Sequence, residues 1–221
     1  MIKFHAILFD FDGVLAMTME DNFEAWKAAV SDYGITIQPE DYYPLEGLRV
    51  YEIPERIFSK HAHKTPDPAE VVRKKEAYYL EHHRFALYPE VDALLDTLIS
   101  KKVPIAVVTA ALKDRLARSV PSGFLDKFNA VVTGDDTKQG KPAADPYLRG
   151  AEKLGIKPEN CIVIENAPLG VESAKKAGAY CIALCTTMKE QYLTGADEVL
   201  ASLAELRNSN AIKQLLNSSS E

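Results

Sequence analysis

The sequence predicts a doubly wound, parallel α/β sheet that carries an inserted helical cap. From residue 89 onward, short β-branched apolar runs alternate with helical patterns, the order expected of a parallel sheet covered on both faces. A run of the same kind, FHAILFD, opens the chain at residues 4–10 and belongs in that sheet, because a parallel strand cannot stand alone. Residues 16–87 lie between the two and hold only helical patterns, so they read as an insertion after the first strand. The expected division is a core of residues 1–15 with 88–221, and a cap of residues 16–87.

The first strand ends at Asp10, and the following FDGVLA breaks the apolar run. A helix is expected from near Glu20, where Phe23, Trp26, Val30 and Tyr33 recur on one face and Gly34 stops it. Trp26 fits that stripe as a core residue better than as a substrate platform. Prolines and glycines break residues 38–68 into short helices. A longer helix follows from about Asp67, with Val71, Tyr78 and Phe85 as its apolar stripe. The basic run Arg73-Lys74-Lys75 reads as a solvated face of that helix.

In the core, Val91, Leu94, Leu95, Leu98 and Ile99 form an amphipathic helix, followed by strand VPIAVVT (103–109). A helix over 112–119 leads to strand NAVVT (129–133). Asp145 and Pro146 read as an N-cap and first helical residue, and Gly155 as the stop. Strand CIVIE (161–165), a helix over 168–177, strand YCIALC (180–185) and a weak strand at 197–200 follow. The polar tail beyond Arg207 reads as frayed.

Composition narrows the function classes. With 221 residues, 47% apolar and 26% charged, the chain has the balance of a globular protein with one large core and a satellite. No apolar stretch approaches the ~20 residues that cross a bilayer, and Met1–His5 runs straight into a strand with no room for a signal-peptide core. No membrane partner and a cytoplasmic location are the expectation. The formal net charge is −6 with no basic stripe, which argues against a nucleic-acid partner. Cys161, Cys181 and Cys185 sit in or beside apolar runs and read as reduced, structural thiols. Oligomeric state leaves no mark in the sequence.

The polar residues gather where chemistry is expected. Open α/β sheets bind ligands outside the carboxyl ends of their strands. Asp10 and Asp12 follow the first strand, Thr109 ends the second, and Glu165-Asn166 ends CIVIE. Lys141 stands in a Gly-Lys-Pro turn before the helix at Asp145. Carboxylates, a hydroxyl, an amide and a lysine on one edge suit phosphoryl transfer, which needs positioning and positive charge. Mg²⁺ takes hard oxygen ligands of this sort. A carboxylate can also attack phosphorus, and a second one nearby can move the protons. None of the five histidines ends a core strand, so acid–base work falls to carboxylates.

FDFDGVL (9–15), VVTAA (107–111), GKPAADPY (140–147) and VIENAPLGVESAKKAGA (163–179) resemble, in order, the four motifs of the haloacid dehalogenase-like hydrolases. The closest likeness is to the β-phosphoglucomutase-like phosphatases, whose helical cap follows the first strand of a Rossmann-like core. The resemblance covers nearly the whole chain. It implies a Mg²⁺-dependent phosphatase of a small phosphorylated metabolite, such as a sugar phosphate, working through an aspartyl-phosphate. On the matching positions it implies Asp10 as nucleophile and metal ligand. Asp12 would be the general acid/base, giving its main-chain carbonyl to the metal. Thr109 and the neighbouring main chain at Ala110 would hold the phosphate, Lys141 would neutralise charge, and Glu165 and Asn166 would serve the metal.

The motifs also depart from the family pattern. Asn166 stands where the family usually has Asp, at the cost of a negative charge. Asn22 stands where the phosphomutases have a histidine, which disfavours a mutase. Met17 replaces a customary acidic residue. EGLR (46–49) resembles the cap specificity loop with a shortened gap, so Arg49 is either a contact for a distal substrate group or a solvated cap arginine. The alternatives are a phosphosugar mutase, and a non-catalytic phospho-ligand binder whose metal site is weakened at Asn166.

Overall fold

The structure is a computed structural model that describes residues 3–218. Its centre is a six-stranded, wholly parallel sheet of β1 (Ala6–Phe9), β2 (Ile105–Val108), β3 (Ala130–Val132), β4 (Cys161–Glu165), β5 (Tyr180–Leu184) and β6 (Glu198–Leu200). The strand order is β3-β2-β1-β4-β5-β6, the Rossmann-like arrangement. β1 pairs with β2 on one side and β4 on the other, Ile7 lying level with both Ile105 and Ile162. The topological switch therefore falls beside β1, and Asp10 emerges from its carboxyl end.

Strand alternation explains why both faces are apolar. Ile7, Phe9, Ile105, Val107, Ile162 and Ile164 point to one side. There they meet Val91, Leu95 and Leu98 of α5 (Val91–Ser100). Ala6, Leu8, Ala106, Val108, Val163 and Cys181 point to the other, against Tyr147 and Ala151 of α7 (Asp145–Leu154) and Val171 and Ala174 of α8 (Pro168–Lys176). The small residues on that side let α7 and α8 lie close. Cys161 and Cys181 are buried free thiols, and Cys185 is half-buried.

Helices α1 (Met19–Ser31), α2 (Pro39–Tyr42), α3 (Ile53–Lys60) and α4 (Pro68–His82) build their own apolar cluster around Trp26, Val30, Ile57 and Phe58. Two chain segments running side by side join it to the sheet. The Met17 amide donates to the Ala86 carbonyl at 2.8 Å, and the Tyr88 amide donates to that of Leu15 at 3.0 Å. Among the described residues, no helix is long and apolar enough to cross a membrane.

Four local expectations are corrected. The buried stripe of α4 is Val71, Val72, Lys75 and Tyr79, because i,i+4 neighbours share a helix face while a seven-residue repeat drifts off it; Phe85 lies past the helix end. Lys75 accordingly is not part of a solvated basic face but is 2% exposed. Asp145 is the first residue of α7, after Ala144 as N-cap, so its charge rather than a capping hydrogen bond suits the helix start. The tail forms α9 (Asn210–Ser218), anchored by buried Ile212 and Leu215 against the sheet cluster. Leu215→Ala should therefore cost about 2–4 kcal/mol, measured as a lower urea midpoint. A loss below about 0.5 kcal/mol would return the tail to solvent.

Candidate active site

Asp10 leaves β1 while still tied to the sheet, its amide donating to the Ile164 carbonyl at 3.0 Å. Its carboxylate is buried and meets Lys141, whose Nζ lies 2.6 Å from Asp10 Oδ1 and 2.6 Å from Glu165 Oε1. The same ammonium donates to the Val108 carbonyl at 3.4 Å, one residue before Thr109, and lies 5.1 Å from the centre of the Tyr147 ring. Residues from four separate segments thus converge at one strand edge. Burial pulls the Lys141 ammonium toward losing its proton, but the charges of Asp10 and Glu165 more than offset this and hold it charged. Burial pushes the Asp10 carboxyl up. Lys141 opposes that rise, while the neighbouring Glu165 and Asp12 carboxylates add to it.

Asp12 has a different set of partners. Arg115, from α6 (Lys113–Ser119), grips it with both terminal nitrogens, Nη1 to Oδ1 at 3.1 Å and Nη2 to Oδ2 at 2.7 Å. The Thr18 hydroxyl and Asn22 Nδ2 add donors to Oδ1 at 2.6 and 3.1 Å. Burial raises the Asp12 carboxyl, yet the Arg115 charge and the hydrogen bonds from Arg115 and Thr18 bring it down to about 2. Lys75 Nζ bonds Asn22 Oδ1 at 2.8 Å. The Tyr42 hydroxyl donates to buried Glu46. Asn22, Lys75, Tyr42, Glu46 and Arg115, with Trp26, line a small chamber of about 20 Å³.

The residues fit a divalent cation, with one change from expectation. Asn166 is fully buried, and its Nδ2 donates to the Thr187 hydroxyl at 2.8 Å, while its Oδ1 has no hydrogen-bond partner. A buried, unpaired amide oxygen is a hard donor of the kind that Mg²⁺ takes. Gly13 lets the Asn166 side chain lie this close to the loop after β1: at φ +83° it bears no Cβ, which would otherwise lie 2.0 Å from Asn166 Nδ2. Glu165 is fully committed elsewhere. Its Oε1 accepts from Lys141 and Tyr147, and its Oε2 from the amides of Asn166 and Ala167. Among the described residues no three His, Cys, Asp or Glu side chains are placed to hold a metal together. A cation here would take Asp10, Asn166 and main-chain oxygen at Asp12.

Thr109 is buried at the end of β2, and its hydroxyl accepts from the Ala111 amide at 3.1 Å, curling the chain at Ala110 over the strand end. Arg49 does not reach into the cluster. Its Nη1 donates to the Lys138 carbonyl at 2.6 Å, tying the cap loop to the turn that carries Lys141. The loop lies close over that turn, so that a Cβ on Gly47 would stand 3.1 Å from the Lys141 stem. Thr18, Lys75, Arg115, Glu46 and Tyr42 were not anticipated. Arg115 and Lys75 did leave a signal, since each sits on the apolar stripe of its helix, and a charge there needs a buried partner.

Known proteins are similar to this chain along most of its length. A family model described as haloacid dehalogenase-like hydrolase matches residues 7–184. The validoxylamine A 7'-phosphate phosphatase of Streptomyces hygroscopicus subsp. limoneus is 30% identical over 90% of this chain and 94% of its own. The β-phosphoglucomutase of Bacillus subtilis is 26% identical over 91% of each chain. The crystal structure of CbbY from Rhodobacter sphaeroides in complex with phosphate superposes with a TM-score of 0.78, at 27% identity, over 92% of this chain and 96% of that one.

The Asp12–Arg115 pair makes a prediction about acid. The folded Asp12 ionises at about 2, while an unfolded one ionises at about 3.9. The unfolded chain therefore binds the extra proton first. The pair's contribution, about 2 kcal/mol, is complete above about pH 4 and lost as pH falls toward about 2. Arg115→Met should cost about 3–5 kcal/mol at pH 7 by stranding the carboxylate, and adding Asp12→Asn should recover part of it. Urea titrations at pH 7 and pH 3 test both, and an additive double variant would show that the two do not interact.

Proposed function

The chain belongs to the haloacid dehalogenase-like hydrolases, as a phosphoric monoester hydrolase, and from that premise we propose that it hydrolyses a small phosphorylated metabolite through a phosphoaspartate at Asp10. The observation that carries this reading is the buried Lys141 ammonium bridging Asp10 and Glu165 at 2.6 Å each. A carboxylate so placed keeps one oxygen against a positive charge and leaves the other to attack. Asp10 Oδ2 forms the bond to phosphorus as the bond to the leaving oxygen breaks, and Asp12 supplies the proton that the leaving oxygen takes up. Water then attacks the phosphoaspartate while Asp12 takes its proton. Phosphate departs and Asp10 is restored.

Lys141 remains protonated throughout and offsets charge on the transferring group. Glu165 acts as the residue that positions Lys141, because its four hydrogen bonds leave no lone pair for a metal. Asp10 and Asn166 would hold Mg²⁺, which when bound neutralises phosphate oxygens. Thr109 and the main chain at Ala110 would receive the phosphate. Arg115 holds Asp12 as a carboxylate in this state, so the acid role requires that the leaving group part the two and that Asp12 take up a proton. The chamber's hydroxyl, amide and carboxyl groups suit a hydroxylated leaving group such as a sugar. Asn22, bonded to both Asp12 and Lys75, has no titratable proton to relay, which counts against a mutase. A binder alone has no need of a nucleophile held against a lysine.

Phosphate release from 4-nitrophenyl phosphate should require Mg²⁺, and Asp10→Asn should lower kcat at least about a thousandfold. Full activity in that variant ends the proposal. Asn166→Asp returns a negative charge to the cation and should tighten Mg²⁺ roughly tenfold, read from the Mg²⁺ dependence of rate and of melting temperature. Unchanged Mg²⁺ dependence would remove Asn166 from the ligand set.

A further inference from the structure

Two long basic side chains and two glycines interlock beside the catalytic cluster. The Arg49 stem lies across Gly140, where a Cβ would stand 2.5 Å from Arg49 Cγ and 3.3 Å from the Arg49 main-chain nitrogen. The Lys141 stem lies in the same way against Gly47, where a Cβ would stand 3.1 Å from Lys141 Cδ and 3.4 Å from Lys141 Cβ. Gly47 adopts φ +95°, so a side chain there would be strained as well as crowded. The bond from Arg49 Nη1 to the Lys138 carbonyl, at 2.6 Å, closes the arrangement at its far end. Loop 46–49 thus meets residues 138, 140 and 141 together.

This packing bears on the group whose place must be kept through the reaction. A lysine stem is long and flexible, and much rotamer freedom is lost in holding it. In the resting site two carboxylates at 2.6 Å fix the ammonium. Once Asp10 carries the phosphoryl group, its carboxylate charge is lost to the new bond, and the ammonium must serve the phosphoryl oxygens instead. One of the two attractions is then weakened. Contact with Gly47 confines the stem whatever the state of Asp10.

We propose that Arg49 is a positioning residue for Lys141: it latches loop 46–49 onto the turn at 138–141, and the loop keeps the lysine stem in place while Asp10 is phosphorylated and freed. What Lys141 does there rests on the phosphatase reading. Arg49 meets the protein and not the substrate, so its effect falls on turnover and is shared by every substrate.

The test uses phenyl phosphate, which has no polar group beyond its ring for an arginine to meet, beside glucose 6-phosphate, both with Mg²⁺. Arg49→Ala should lower kcat about tenfold on each, with KM within about threefold of wild type. Gly140→Ala drives a methyl group into the Arg49 stem and by itself should cost at least about tenfold in kcat. In the Arg49→Ala background Cγ and Cδ are gone, leaving only the main-chain nitrogen at 3.3 Å. There Gly140→Ala should cost less than about twofold more. Should Gly140→Ala alone fail to fold, its recovery as a folded protein by Arg49→Ala reads the same interlock. Unchanged kcat on phenyl phosphate, with KM raised for glucose 6-phosphate alone, would make Arg49 a substrate contact and overturn the proposal. A Gly140→Ala loss of equal size in both backgrounds also overturns it. Wild type inert on both substrates overturns the phosphatase reading, and the role of Arg49 with it.

Discussion

A lysine buried between two carboxylates keeps its charge because theirs lie against it. Lys141 is 3% exposed, and the charges of Asp10 and Glu165 hold its proton there against the pull of burial. The sheet supplies the geometry. β1 and β4 pair side by side, so Asp10 and Glu165 leave adjacent strands at one edge. Lys141 arrives from a turn 131 residues from Asp10 and 24 from Glu165. Removing Lys141 would leave two buried carboxylates without the cation between them.

The same constraint acts a second time around Asp12, with different consequences. Asp10 is held by a single ammonium and surrounded by further carboxylates, so its electrostatic surroundings remain negative and ready for a cation. Asp12 is held by a bidentate guanidinium, a hydroxyl and an amide, and so is fully compensated. Two aspartates one residue apart are thus differentiated by the helices that reach them. Thr18, Asn22 and Lys75 come from the cap side and Arg115 from the core, so the Asp12 cluster also stitches the two helical layers together. That coupling makes the position of these helices felt at Asp12.

Much of this was legible beforehand, for identifiable reasons. Strand runs such as CIVIE announce themselves because a strand buried on both faces tolerates little but apolar residues. The polar residues that end them stand out against that background, which is how Asp10, Thr109 and Glu165 are found. The errors share a cause as well. Arg73-Lys74-Lys75 looks like one solvated patch in one dimension, yet helix geometry turns Lys75 inward beside Tyr79 while its neighbours face out. In the tail, Ala211, Ile212 and Leu215 dock a helix, because the sheet's apolar face was there to receive them.

The sequence by itself determined the parallel α/β core, the helical insertion and the identity of the polar residues at the strand ends. These follow from local periodicity and from the chemistry of single side chains. Only the tertiary structure decided partnership. It gave Arg115 to Asp12, turned Arg49 to the Lys138 carbonyl, spent the Glu165 oxygens on Lys141, Tyr147 and two amides, and left the Asn166 oxygen unpaired. Such pairings depend on distances between segments remote in the chain, and no local pattern encodes them.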